Sequence, residues 1–203
     1  MIRNIIFDMG EVLIKWTPQQ LLKQFDLTKQ EENAILNQVF HDVEWIALDA
    51  GTMSEDEAFS RVCRRLDEKL HPVAEFMIRK WWTLPMVGQD GIEDLIRKLH
   101  ENGYRIYVLS NANDKQKEYF PRVPGYRYFS GRVTSAEIGL LKPDRKIFEY
   151  ICDTYQLKAE ECFFIDDSNL NVYAALEAGM QGTVYHDTEE LIGRMREAGI
   201  RIG

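Results

Sequence analysis

Cysteine is scarce in this chain of 203 residues: only Cys63, Cys152 and Cys162 occur, and none has CxxC or CxxH spacing. So odd and sparse a set argues against a disulfide framework or a thiolate metal centre, and reduced, buried thiols in a cytoplasmic protein are expected. No apolar run approaches the ~20 residues needed to cross a bilayer, so no membrane partner is expected. The run from Ile5 to Phe7 is only of strand length and ends in an acid, which does not read as a signal peptide. GxSxG, P-loop and GxGxxG patterns are all missing, which removes the commonest hydrolase, NTPase and dinucleotide signatures. His41, His71, His100 and His186 show no metal-ligand spacing. No Lys/Arg stripe offsets the net charge of −8, which argues against a nucleic-acid partner. An anionic small substrate remains compatible with that charge, because a local pocket can be positive inside an acidic protein.

What is present reads as alternating strand and helix. Residues 2–8, 104–110, 162–165 and 182–185 are apolar runs of strand length. Between them, Ile92, Leu95, Ile96 and Leu99 have helical spacing with Asn102-Gly103 as a stop. Residues 144–156, 169–178 and 189–198 are also helical, with Thr188 as the expected N-cap of the last. Strands alternating with helices predict an α/β fold, a doubly wound, Rossmann-like parallel sheet. The stretch 120–130 reads as an irregular loop.

From Trp16 to Val87 the pattern is helical only, with segments at 18–26, 30–40, 42–49, 54–68 and 72–82. Pro18 suits a first helical turn, and Ser54 with Glu57 spells a capping box. The expected organisation is an α/β core made of residues 1–15 and 88–203, with residues 16–87 inserted after the first strand as a helical cap over the sheet's carboxyl edge. Phe40, Trp45, Trp81 and Trp82 are read as the cap's own core or its contact with the sheet; the alternative is an aromatic wall of a sugar pocket.

Four polar sites fall at or just after strand ends: Asp8, Ser110-Asn111, Lys142 before Pro143, and Asp166-Asp167. In doubly wound sheets such ends share one crevice. Adjacent carboxylates repel unless a cation compensates them, and Mg²⁺ prefers oxygen ligands. A hydroxyl, backbone N–H groups and an ammonium can cradle a phosphate. Together these groups suit phosphoryl transfer through an aspartyl-phosphate.

The pieces Phe7-Asp8-Met9-Gly10, Leu109-Ser110-Asn111, Lys142-Pro143-Asp144 and Phe164-Ile165-Asp166-Asp167-Ser168-Asn169 occur in an order that resembles the haloacid-dehalogenase-like hydrolase superfamily over the whole chain. The resemblance implies a Mg²⁺-dependent phosphatase of a small phosphorylated metabolite. It makes Asp8 the nucleophile and a metal ligand, with the Gly10 carbonyl as a second ligand. Ser110 and Asn111 would hold phosphoryl oxygens, and Lys142 would neutralise them and orient Asp8. Asp167 would bind the metal directly and Asp166 through water, or the reverse. A 2-haloacid dehalogenase, in which the same acid attacks carbon, and a phosphate-binding protein without turnover are the rival readings.

Gly10 departs from the pattern. Most phosphatases of the superfamily carry an aspartate there as general acid, a role typically worth ~10²–10⁴-fold in rate. Three explanations compete: a substrate that leaves without protonation, such as an anomeric phosphate; a substitute acid, Glu11 or His41; or loss of turnover. The run Asp-x-Gly-x-Val also resembles a bacterial branch of the family that includes a glucose-1-phosphate phosphatase.

Overall fold

Asn4–Phe7 forms the central strand, β1, and all of it is buried. A strand covered on both faces needs an unbroken apolar run, which Ile5-Ile6-Phe7 supplies. The computed structural model, which describes residues 1–203, adds β2 (Arg105–Ser110), β3 (Phe129–Thr134), β4 (Cys162–Asp166) and β5 (Gln181–Val184). Every pairing is parallel, and the order β3-β2-β1-β4-β5 winds outward in both directions from β1. This is the expected doubly wound α/β sheet.

Side chains alternate across the sheet, as the strand period requires. Ile5, Phe7, Val108 and Ile165 belong to one apolar cluster, while Ile6, Tyr107, Leu109 and Phe164 belong to the other. The first cluster continues without a break into Ile35, Val39, Met77 and Ile78 of the helical segment. That segment comprises α1 (Pro18–Leu22), α2 (Lys29–Ile35), a wide turn at Leu36–Phe40, α3 (Val43–Asp49), α4 (Glu55–Cys63) and α5 (His71–Arg79). Thr28 and Glu31 cap α2 reciprocally, whereas Ser54 accepts the Glu57 N–H at 3.2 Å without the reciprocal bond. The chain leaves the sheet and returns to it side by side: the Lys15 N–H donates to the Val87 carbonyl at 2.7 Å and the Gln89 N–H to the Leu13 carbonyl at 3.1 Å.

The remaining helices are α6 (Ile92–Glu101), α7 (Gln116–Tyr119), α8 (Ser135–Ile138), α9 (Arg145–Tyr155), α10 (Asn169–Glu177) and α11 (Thr188–Glu197). Two further expectations fail. The stretch read as loop through residue 130 already contains the start of β3, an edge strand of sequence Phe-Ser-Gly-Arg-Val-Thr that is only half buried and therefore lacks an apolar signal. The Tyr155 hydroxyl holds this strand from outside, donating to the Arg132 carbonyl at 2.8 Å and accepting its N–H at 2.9 Å. The cap of α11 is Asp187, not Thr188: its carboxylate accepts the Glu190 N–H at 2.8 Å, and an acid there also complements the helix dipole.

Candidate active site

β1 delivers Asp8 to the carboxyl edge, β2 ends in Ser110, and β4 ends in Asp166. The register that sets Phe7 beside Val108 and Ile165 makes these ends level. Lys142 comes from elsewhere: it lies in the loop between α8 and α9, not at a strand end. Its ammonium reaches down between two acids, 2.7 Å from Asp8 Oδ1 and 2.6 Å from Asp166 Oδ2. All three side chains are buried, so the charges meet in a medium that strengthens their attraction. Burial works against the Lys142 ammonium, but Asp8 and Asp166 outweigh it and raise its pKa. Burial also holds the Asp8 carboxyl above the usual carboxylate range; Lys142 pulls it back and Asp166 pushes it further up.

Asp166 is saturated. Besides Lys142, its Oδ1 accepts the Ser168 N–H at 2.9 Å, and the Asn171 amide donates to both oxygens at 3.0 and 3.1 Å. Asp167, next in the chain, is exposed and faces the cavity, and burial and Asp166 raise its pKa. One oxygen each from Asp8, Asp166 and Asp167 lies within 4.8 Å of the others. An all-carboxylate cluster with one exposed member facing the cavity suits a hard cation such as Mg²⁺ better than a soft one. Asn111 sits where expected, yet its side-chain amide is occupied. It donates to the Lys142 carbonyl at 2.9 Å and accepts the Lys142 N–H at 2.8 Å.

Over these groups lies a cavity of about 340 Å³, walled by Trp16, Trp45, Trp81 and Tyr119. The Trp16 and Trp81 rings pack 5.4 Å apart and the Trp81 and Tyr119 rings 5.3 Å apart, in edge-on or tilted arrangements. Trp45 and Trp81 are thus both core of the helical segment and wall of the cavity, while Phe40 stands behind Trp45 at 4.6 Å. The Trp82 indole N–H instead donates to the Arg79 carbonyl at 3.0 Å. The Trp81 indole N–H and the Tyr119 hydroxyl are buried with no hydrogen-bond partner in the protein.

Of the two substitutes for an acid at position 10, His41 is exposed and outside the cavity lining. Glu11 lines the cavity, but its carboxylate accepts the Trp16 N–H, fixing the turn out of β1 at a left-handed φ of 55°. Sequence reasoning missed Trp16, Asp49, Tyr119 and Asn171; Asn171, three residues past Ser168, is where a helix turn returns to the strand end.

The family pattern for haloacid dehalogenase-like hydrolases matches residues 2–179 of this chain. The chain belongs to that family. This hydrolase is 26% identical over 189 residues to the sesquiterpene phosphatase astK of Aspergillus oryzae, covering 92% of this chain and 90% of that protein. It is also 26% identical over 195 residues to the drimenol cyclase drtB of Aspergillus calidoustus, covering 94% of this chain but only 35% of that longer protein. Among solved structures, a HAD-family enzyme from Bacteroides thetaiotaomicron, in complex with magnesium and inorganic phosphate, superposes with a TM-score of 0.70 at 25% identity, over 94% of this chain and 99% of that one. No helix of the hydrolase is long and apolar enough to cross a membrane.

Proposed function

We propose that this hydrolase cleaves the phosphoric monoester of a small metabolite, with Asp8 as nucleophile. One observation carries the reading: a buried carboxylate held by a lysine, beside two further carboxylates, at the floor of a cavity. Asp8 attacks phosphorus and forms an aspartyl-phosphate as the ester oxygen departs; water then cleaves that intermediate and releases inorganic phosphate. Lys142 orients Asp8 and offsets phosphoryl charge. Ser110 contributes its hydroxyl to the phosphoryl oxygens. Asn111 acts chiefly by positioning Lys142, which changes the direct role its place in the motif implies. Mg²⁺ would be held by Asp8, Asp167 and the Gly10 carbonyl, with Asp166 behind them, and would supply charge neutralisation at the phosphate.

The phosphatase and magnesium-complex relatives support this reading over carbon chemistry, because an acid cluster able to hold a divalent cation has no task in dehalogenation. We read residues 16–87 as a cap whose aromatic wall selects the leaving group. A sugar fits that wall: its C–H faces pack on indole rings, and its hydroxyls meet the buried Trp81 and Tyr119 donors. An isoprenoid tail, the kind of group a sesquiterpene carries, leaves both donors as unpaired as they already are, whereas each hydrogen bond to a sugar hydroxyl adds roughly 0.5–1.5 kcal/mol.

The test is release of inorganic phosphate from a panel of phosphorylated metabolites and from 4-nitrophenyl phosphate, with Mg²⁺ and with EDTA. Activity lost in EDTA and in Asp8→Asn is expected. Phosphate binding without turnover of any ester, or halide release from 2-chloropropionate without metal, overturns the reading.

A further inference from the structure

Replacing the family's general acid by Gly10 leaves the leaving group without a proton donor at the usual place. The cavity contains another. Asp49, the last residue of α3, brings a carboxyl from the helical segment into the same cavity as Asp8. Its backbone is pinned to the core. The Ser135 hydroxyl accepts the Ala112 N–H at 2.9 Å and donates to the Asp49 carbonyl at 2.5 Å, joining the loop after β2 to the end of α3. Two residues on, Gly51 has a φ of 67°, and a Cβ there would overlap the Ala136 carbonyl, so the backbones meet without a gap. The end of α3 is therefore fixed over the site by groups of the segments that follow β2 and β3.

Of the other proton-bearing groups of the cavity, Asp167 belongs to the carboxylate cluster suited to a cation, and the rest are committed. Lys142 is shared by Asp8 and Asp166, Glu11 takes the Trp16 N–H, and burial raises the Tyr119 hydroxyl far above its ordinary range. Asp49 has no cationic partner and no hydrogen bond to its carboxyl; the ionisable groups facing it are Asp8 from β1 and Tyr119 from α7. Burial first, and then the Asp8 charge, push it up to about 7 from 3.8. A carboxyl near 7 is suited to give a proton at neutral pH and to take one back.

We propose that Asp49, from the helical segment, is the proton donor to the leaving group, in place of an acid at position 10. The step rests on the phosphatase reading above. As Asp8 Oδ bonds to phosphorus and the ester P–O bond breaks, the Asp49 proton passes to the departing oxygen and the product leaves as a neutral alcohol. The Asp49 carboxylate then takes a proton from the water that attacks the aspartyl-phosphate, and phosphate departs with Asp8 and Asp49 restored. An activated, anomeric leaving group is thus not required.

The experiment compares kcat/KM of wild type and Asp49→Asn for an alkyl phosphate and for 4-nitrophenyl phosphate, whose phenolate leaves without protonation. Because kcat/KM reports only steps up to formation of the aspartyl-phosphate, the alkyl value is expected to fall on the order of 10²-fold or more. The aryl value should stay within about threefold of wild type, since that leaving group needs no proton. A burst of phenolate in the variant, from slowed hydrolysis of the intermediate, is the second expected signature, and the retained aryl activity shows that the variant is folded. Equal losses on both esters, or no loss on the alkyl ester, overturn the assignment of Asp49 while leaving the phosphatase reading intact. A wild type inactive on both esters overturns both.

Discussion

The Asn111 side chain grips Lys142 by its backbone, donating to the carbonyl and accepting the N–H of the same residue. A residue at the end of β2 thereby fixes a lysine on a distant loop. Asn111→Ala removes both bonds and leaves the Lys142 ammonium to find Asp8 unaided. The expected result is a 10- to 100-fold fall in kcat on 4-nitrophenyl phosphate, about 1.4–2.8 kcal/mol of transition-state stabilisation, with KM changed much less. An unchanged kcat in a folded variant refutes this positioning role.

Asp49 also predicts a pH dependence of stability. A carboxyl whose folded pKa lies above its unfolded value binds its proton more tightly when folded. Its contribution is fully present below about 3.8 and is lost as pH rises toward 7. Asp49→Asn escapes that loss. In metal-free buffer its unfolding free energy should exceed that of wild type at pH 8 by roughly 2 kcal/mol, less than the full shift implies because the carboxyl borders an open cavity. The advantage should vanish near pH 4. A difference that is constant with pH would show that Asp49 titrates normally.

Tyr119 presents a buried hydroxyl with no partner in the protein. Removing such a group relieves a desolvation penalty, so Tyr119→Phe is expected to be as stable as wild type or more so by urea titration. The same change should raise KM for an oxygen-rich substrate roughly tenfold, because one donor to the leaving group is gone. A loss of stability with KM unchanged would mean that the hydroxyl serves the fold rather than the ligand.

Gly10 is not required by packing. A Cβ there would meet nothing nearer than Trp16 Cε3 at 3.9 Å, an ordinary contact. Gly10→Ala should therefore fall within about 0.5 kcal/mol of wild type in chemical denaturation. Gly10→Asp in the Asp49→Asn background should restore at least part of the activity on alkyl esters, seen as a recovery of kcat/KM of tenfold or more, because a carboxyl then returns to the position Gly10 vacates.

The central strand, most of the sheet and three of the four motif pieces were legible in the sequence because each is local: an apolar run, then a polar residue at its end. β3 was not, since an edge strand is half solvated and its Ser, Gly and Arg break the apolar pattern. Lys142, on the loop between α8 and α9, was legible only through the order of the motif pieces, whereas Asp8, Ser110 and Asp166 could be gathered from strand topology. Asp49 and Tyr119 could not, because their relevance comes from how a helical segment folds back onto the sheet, and nothing in the run Leu48-Asp49-Ala50-Gly51 sets that carboxylate apart from others on helices. The occupation of the Asn111 amide was equally hidden, since it depends on the path of a loop 31 residues away.

Tyr155 reaches over the rim of the sheet and takes both backbone groups of Arg132 at once. Exposed strand edges are the places where folded chains recruit one another into larger β-structures. Here the ring lies so close above Gly131 that a Cβ there would overlap it, and the outward-facing hydrogen-bonding groups of the strand's middle are already taken. Another chain approaching along this edge would have to displace a phenol before it could pair with Arg132 in the strand's middle. A helix residue far from any chemistry thus protects the molecule from unwanted association with its own copies.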